Sequence, residues 1–534
     1  MLTAIASLSL LAALAYYAFF SVRTHKRLPP GPDADENVRG ELTTAAVGKT
    51  GTWAVFDRWS KAYGYIFSFH MGRTPVLVIS MAEAAWDLLE KRGDIYSSRP
   101  RLIMAHEIMS GGMRGLSMPY SDHWRKWRKA HLSACTLFLY QSLTFFRYVQ
   151  IQHTGMSGRA SLAYREHQTL ESALFLRDLL QNADNYGEII QRFATSIMLS
   201  ISYGQRVANL DSEVVKNNYK SVMEFSKAAV TGKYIVESWP FLLWLPRPLQ
   251  WFRYSAERIR KNDTALYLSL LESVQKRMDA GTNKECMSSR SLTSGREGLS
   301  MVELAYAVAA PFGAGIDTTS SSVEFFLIAA LLHPSATKKA QAELDAVVGR
   351  DRLPTFQDQE SLPYIGAFIK EVERWRPVVP LAVPHSVTRD DIYEGYDIPK
   401  GATILGSIYS MMKDPEMFPE PNLFHPERFL SPSPGAQDPR FVDFTLPFGF
   451  GRRQCPGMHV ASQSLYILVT RILWAFDITQ APDAPLPDPL ASVSLGLVCA
   501  PAPFRFALHP RHMDAVKIIE LEATEADVRL KEWD

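Results

Sequence analysis

Phe448-Gly449-Phe450-Gly451-Arg452-Arg453-Gln454-Cys455-Pro456-Gly457 is the stretch on which the reading of this 534-residue chain turns. At this composition, a chance match to F-x-x-G-x-R-x-C-x-G anywhere in the chain has odds on the order of one in ten thousand. The pattern also makes physical sense. Its glycines let the backbone approach a flat ligand closely, and the apolar run from about Val460 to Phe476 predicts a helix directly after it. Cys455 then stands near that helix's N-terminus, where the dipole and free amides favour a thiolate. A buried free cysteine after a glycine turn is the alternative for this segment taken alone.

Working outward, Ala314-Gly315-Ile316-Asp317-Thr318-Thr319 falls inside the longest helix that the sequence predicts. That helix runs from about Ser300, an N-cap with Glu303 three positions later, to His333 before Pro334. Pro311, Gly313 and Gly315 within it predict a kink and lost backbone bonding, leaving room for a ligand or water. An acid beside a hydroxyl relays protons through water; the alternative is a threonine bonded to the carbonyl four residues back and an exposed aspartate. Glu371 and Arg374 lie on neighbouring turns, so an ion pair between them needs no function. Arg428, within Pro426-Glu427-Arg428-Phe429, is a candidate to join them in a buried bidentate network that would lock the cysteine loop. Trp124 and Arg128, at i and i+4, share one helix face and offer an indole N–H and a guanidinium to carboxylates.

In their order along the chain these segments resemble the marks of the cytochrome P-450 family, microsomal type. The resemblance implies a haem cofactor, iron protoporphyrin IX, with Cys455 as its metal ligand; a thiolate there donates electron density and favours O–O cleavage. It gives Asp317 and Thr318 the catalytic role in oxygen activation, and places Trp124, Arg128, Ala314, Gly315, His385, Phe448, Arg453 and Gly457 against the cofactor. Trp124, Arg128, His385 and Arg453 are the implied propionate donors, although His385 also reads as an ordinary core or turn histidine. Glu371, Arg374 and Arg428 are the structural network. The implied fold is mainly α with a minor β part, with haem buried between a helical and a sheet-containing part. The implied reaction inserts one oxygen atom of O2 into a hydrophobic small molecule, with electrons from NADPH through a membrane-bound NADPH-cytochrome P-450 reductase. The chain is similar to fungal secondary-metabolism members, the O-methylsterigmatocystin oxidoreductase-like group, whose substrates include terpenoids, polyketides and indoles. Two rivals are a haem-thiolate isomerase or dehydratase needing no external electrons, which the intact Asp317-Thr318 disfavours, and an inactive degenerate haem protein.

Composition sets outer limits. With 47% hydrophobic and 21% charged residues the chain supports a large core, and 57 basic against 56 acidic residues give no electrostatic case for nucleic acid. Cys135, Cys286, Cys455 and Cys499 show neither paired spacing nor a CxxC, against a disulfide framework. Residues 1–22 are apolar and uncharged from Leu2 onward, long enough to span a bilayer as a helix. Arg23, His25, Lys26 and Arg27 follow, placing the body on the cytoplasmic side, so the expected location is the endoplasmic reticulum membrane, single-pass; a signal peptide is the rival. Residues 23–40 read as a basic and Pro-rich linker with a stiff hinge at Pro29-Pro30-Gly31-Pro32, and 41–512 as the catalytic domain. Tyr65–Phe69 and Val76–Ser80 read as strands, and Gly281 to Gly298 as a surface loop. Residues 132–152, apolar without a neat period, read as an insertion after the Trp124 helix. Residues 513–534 read as a solvated charged tail. Trp239 to Pro246 resembles the family's membrane-dipping loop.

Overall fold

The computed structural model describes residues 27–32, 42, 51–72, 74–132, 156, 158–230, 233–295, 298–430, 443–494 and 496–533. The apolar run at 1–22 lies outside them, as does nearly all of the 132–152 stretch. Most of the described chain is helical. The long helices are α1 (Gly51–Tyr63), α2 (Asp122–Leu132), α3 (Arg165–Gln181), α4 (Tyr186–Tyr203), α5 (Glu213–Ala228), α6 (Arg253–Asp279), α7 (Met301–Leu332), α8 (Pro334–Val347), α9 (Pro363–Trp375), α10 (Met458–Ala475) and α11 (Met513–Leu530).

Helix α7 starts and stops where the sequence places it. The Ser300 hydroxyl accepts from the Glu303 amide, the Glu303 carboxylate accepts from the Ser300 amide at 2.8 Å, and His333 caps the far end. Its interior differs from expectation, because Pro311 sits in a continuous helix and not in one broken around Gly313 and Gly315. The proline costs about 3 kcal/mol. Burial of Leu304, Val308, Phe312, Val323, Phe325 and Phe326, at roughly 1.5–3 kcal/mol each for the larger side chains, outweighs it. Among the described residues α7 alone is long and apolar enough to cross a membrane, and it is mostly buried, as a core helix is.

Strands β1 (Ile66–Met71) and β2 (Thr74–Ile79) appear where alternation placed them and pair antiparallel with Ile66 opposite Ile79. Strand β6 (Thr403–Gly406) joins β2 in parallel, and β3 (His385–Ser386) joins β6 antiparallel, giving the order β1-β2-β6-β3. Three two-stranded ribbons complete the β part: β4 (Asp391–Tyr393) with β5 (Tyr396–Ile398), β7 (Phe476–Gln480) with β10 (Phe506–Pro510), and β8 (Ser492–Ser494) with β9 (Cys499–Pro501).

Two apolar cores result. One surrounds α7, α4 and α10, with Phe193, Phe312, Phe326 and Trp474 fully enclosed. The other lies under the sheet, with Ile79, Leu89, Ile404 and Phe450. The Cys455 loop is the seam between them, since Phe450 belongs to the sheet core and Val460, five residues after the cysteine, to the helical one.

Three segments depart from expectation. The Pro29-Pro30-Gly31 stretch is no free hinge: the Pro30 carbonyl accepts from Ser68 N at 2.8 Å and the Pro29 carbonyl from Ser68 Oγ at 2.6 Å. A Cβ on Gly31 would overlap the Ser68 backbone, so the glycine is what lets the segment lie on β1. The 281–298 loop contains a short helix, Met287–Thr293, because Cys286 and Ser289 form a reciprocal capping box and Met287 is buried. The tail beyond His512 is not solvated throughout. Helix α11 buries Ala515, Ile519, Ala523, Ala526 and Leu530, against Leu170 and Leu174 of α3 among others, and Arg177 pairs with Asp527 across that interface. The charges occupy one face and small apolar residues at helical spacing the other.

Candidate active site

The cysteine loop is held by backbone geometry that only glycine meets at two points. Gly449 and Gly451 have φ of 80° and 50°, and a Cβ on Gly451 would lie 2.6 Å from the Leu89 carbonyl. The Phe448 carbonyl accepts from Cys455 N at 2.9 Å, closing the loop. Helix α10 then begins at Met458 with Gly457 as its cap, close to the expected start. Amides of Gly457 and Met458 bond the thiol and, with Arg128, pull its pKa down, while burial, the larger effect, pushes it up. Among the described cysteines, Cys286 and Cys499 are buried and Cys455 is open. The Cys455 thiol keeps free surface although the surrounding protein is dense enough to desolvate it. In the middle of the mostly buried helix α7, Ala314 is likewise exposed and Thr318 half-buried. The Thr318 hydroxyl donates to the Ala314 carbonyl at 3.0 Å, the back-bonded state expected of a threonine without a partner. Gly315 has a packing reason, since a Cβ there would overlap the Met198 sulfur of α4.

About the Cys455 loop, cations gather without a described counter-ion. Arg453 donates to the carbonyls of Ser97 at 2.8 Å and Met118 at 2.6 Å. Arg128 reaches the Gln454 carbonyl at 2.6 Å, and Arg99 the carbonyls of Leu116, Val383 and Pro384 at 3.0, 2.6 and 2.8 Å. The Trp124 ring packs under Arg453 at 4.0 Å and beside Arg128 at 6.0 Å. Burial lowers all three guanidinium pKa values and mutual repulsion lowers two further: Arg99 to about 9, through Arg128, and Arg453 to about 8, through Arg99 and Arg128. None forms an ion pair with a described carboxylate. Buried charge of one sign is costly until an opposite charge arrives, and this cluster suits a ligand carrying carboxylates.

His385 also belongs here, buried, with Nδ1 at 2.7 Å from the Tyr96 carbonyl. Burial, Arg99 and Arg453 hold its pKa well below the usual value. The Tyr96 carbonyl can only accept, so Nδ1 carries a proton there, and Nε2 accepts in the neutral ring or donates once the ring is protonated. Arg99 was not visible in the sequence. It reaches the site because the Ser98 to Ser386 bridge joins its segment to β3, a pairing across almost three hundred residues that no local pattern announces.

The structural triad forms as expected. Arg374 meets Glu371 with two bonds of 2.7 and 2.8 Å, both side chains fully enclosed. Arg428 bonds the same carboxylate at 3.1 and 3.2 Å, and His425 N donates to it at 2.7 Å. The spare Arg374 donors go to the carbonyls of Met412, Pro421 and Leu423.

Over residues 29–508 the chain matches the family model Cytochrome P450. This chain is a cytochrome P450. Among its relatives, a cytochrome P450 monooxygenase of Armillaria gallica is 34% identical, with 96% of each chain covered. The P450 monooxygenase drtD of Aspergillus calidoustus is 34% identical over 97% of this chain and 92% of its own. A zebrafish P450 solved with progesterone superposes with a TM-score of 0.68 at 24% identity, covering 86% of this chain and 99% of that one; at that identity it speaks for the fold alone. As a P450 the protein is an oxygen-incorporating oxidoreductase that uses haem with a cysteine thiolate ligand. The open Cys455 thiol, the exposed Ala314 in a mostly buried helix and the arginines without a described counter-ion fit that group.

Proposed function

We propose that this P450 inserts one oxygen atom of O2 into a hydrophobic small molecule of fungal secondary metabolism, taking electrons from NADPH through a membrane-bound flavoprotein reductase. The observation that carries the site assignment is the seam itself. Among the described cysteines Cys455 alone is open, just before the N-terminus of α10, and the buried Arg99 and half-buried Arg128 and Arg453 gather about its loop without a described counter-ion.

Cys455 would hold the haem iron, and Arg128 and Arg453, with Arg99 beside them, would bind its propionates; Trp124 fixes the angle of the two guanidinium groups nearest it. Phe448 and Gly457 shape the loop around the sulfur, and Ala314 leaves α7 low enough for the macrocycle. Bound haem supplies dioxygen binding and O–O cleavage. Thr318 leaves the Ala314 carbonyl to hold a proton-bearing water. Asp317 beside it supplies the proton. The terpenoid, polyketide or indole class follows from resemblance to fungal relatives.

The body sits on the cytoplasmic face of the endoplasmic reticulum, held by the apolar run at 1–22. A second contact is the exposed aromatic stretch that contains Phe241 and Trp244, the latter 87% exposed, with Leu249 and Trp251 beyond it; such a patch fits a lipid surface.

Thr318→Ala in microsomes supplied with NADPH and reductase tests the reading. Haem and substrate binding are expected to persist while reducing equivalents are diverted to peroxide or water. Unchanged coupling of NADPH use to product would reduce Thr318 to a helix residue.

A further inference from the structure

Two half-buried carboxyls on α7 have no counter-charge among the described residues. Asp317 and Glu324 are seven residues apart, hence ~20° apart around the helix and ~10 Å apart along it. Neither makes a hydrogen bond or an ion pair with a described residue. Between them on the same face is Ser320, about one turn from each, whose hydroxyl is buried and without a hydrogen-bond partner. Enclosed polar groups are nearly always satisfied, so the bare Ser320 hydroxyl, with a half-buried, unpaired carboxyl about one turn to either side, marks a polar line that packing does not require.

The line has two ends. At the inner end Thr318, next to Asp317, is half-buried beside the exposed Ala314. At the outer end Glu324 faces the first turn of α4. An ideal Cβ on Gly187 would sit 3.9 Å from Glu324 Oε1, so the glycine leaves the carboxyl uncovered where a longer side chain would close over it. Neighbouring Tyr186 donates its phenol to the Phe504 carbonyl at 3.1 Å and feels the Glu324 charge. Tyr186 also walls a surface cleft of about 230 Å³, lined with Ala183, Asp184, Phe504, Arg505 and Phe506.

We infer that Glu324 is the carboxyl through which protons enter from this cleft, passing along Ser320 to Asp317 and on to Thr318. The inference rests on the roles given above to Asp317 and Thr318. In each passage Glu324 gives its proton to the Ser320 hydroxyl, which releases its own to the Asp317 carboxylate. Asp317 has by then passed one proton to the Thr318 side, and the Glu324 carboxylate takes a new one from solvent in the cleft. One proton moves inward and every group ends as it began. The axial steps of ~4.5 and ~6 Å are completed by water.

Burial raises both carboxyls above the usual range, and the Asp317 charge helps bring Glu324 to about 7, where an acid–base group exchanges protons best at neutral pH. The titratable groups that reach Glu324 are Asp317 on its own helix and Tyr186 on α4. At the cleft, Arg505 is paired with Asp483 at 2.5 Å and also feels Asp184.

The test compares Glu324→Gln, Ser320→Ala, Gly187→Leu and Asp317→Asn in the holoenzyme. One readout is the infrared carboxyl band of the resting protein. The others are the pH profile and the solvent isotope effect of NADPH-supported product formation. Glu324→Gln is expected to remove a band that titrates near neutrality, to slow product formation at least about tenfold and to raise the solvent isotope effect. Gly187→Leu, which removes no titratable group, is expected to slow it in the same way, and Ser320→Ala to a lesser degree. A wild-type pH profile and isotope effect in Glu324→Gln, alongside slow Asp317→Asn, would overturn the entry route and leave Asp317 its role. A wild-type rate in Asp317→Asn would overturn the role of Asp317 and the route with it.

Discussion

Arg374 and Arg428 share the Glu371 carboxylate and give their remaining donors to carbonyls. Arg99, Arg128 and Arg453 meet carbonyls and no described carboxylate; burial lowers the pKa of all three, and repulsion adds to it at Arg99 and Arg453. Arg374 and Arg99 are buried and the other three half-buried. The first set is complete as the chain folds and serves stability. The second is left electrostatically open, and its missing charge belongs to what the protein binds.

The sharpest way to break this contrast is to exchange the expected consequences. Arg374→Ala leaves Glu371 enclosed with only Arg428, a loss of about 3–5 kcal/mol. Thermal unfolding of the haem-free and haem-loaded protein should both shift down; a change confined to the loaded form would place Arg374 with the ligand-facing set.

A third arrangement, charge excluded outright, comes next in size. His167 is buried against the Trp533 ring at 4.5 Å, and burial, its largest influence, holds its pKa at about 4. The folded value lies below the unfolded one of ~6.5, so its contribution is complete above pH ~6.5 and is lost as pH falls towards 4, by about 3 kcal/mol. His167→Gln should therefore flatten the fall in denaturation midpoint between pH 7 and 4.5. An equally steep fall would assign the acid sensitivity elsewhere.

The smallest effect sharpens the comparison most. Arg453→Gln should weaken haem binding about tenfold, ~1.4 kcal/mol, while the haem-free protein keeps its stability or gains some, because the remaining cations repel less. A haem-free form destabilised as much as Arg374→Ala would show that Arg453 is structural.

The pattern of legibility follows the same physics. The Ser300 cap, α10 after the glycine loop, the β1–β2 hairpin and the Glu371–Arg374 pair were readable because each is set by residues a few positions apart. Arg99 was not, because a strand bridge to Ser386 brings it in. Glu324 was not, because one glutamate in a helix has no signature until the empty side of Gly187 faces it. Pro311 reads locally as a kink, and the helix nonetheless continues from Met301 to Leu332 because most of α7 is buried. His385 lies within reach of the Arg99 and Arg453 charges, and its tautomer depends on the Tyr96 carbonyl, which no motif contains. The tail was misread because its charges outnumber the alanines that bury α11.

Everything above turns on Cys455 as the thiolate that binds haem iron. The direct measurement is the carbon monoxide difference spectrum of the reduced protein, taken for Cys455→Ala and for Cys135, Cys286 and Cys499 each changed to alanine. The account predicts that the Soret band of thiolate ligation disappears in Cys455→Ala and persists in the other three. A thiolate band that survives in Cys455→Ala would contradict it.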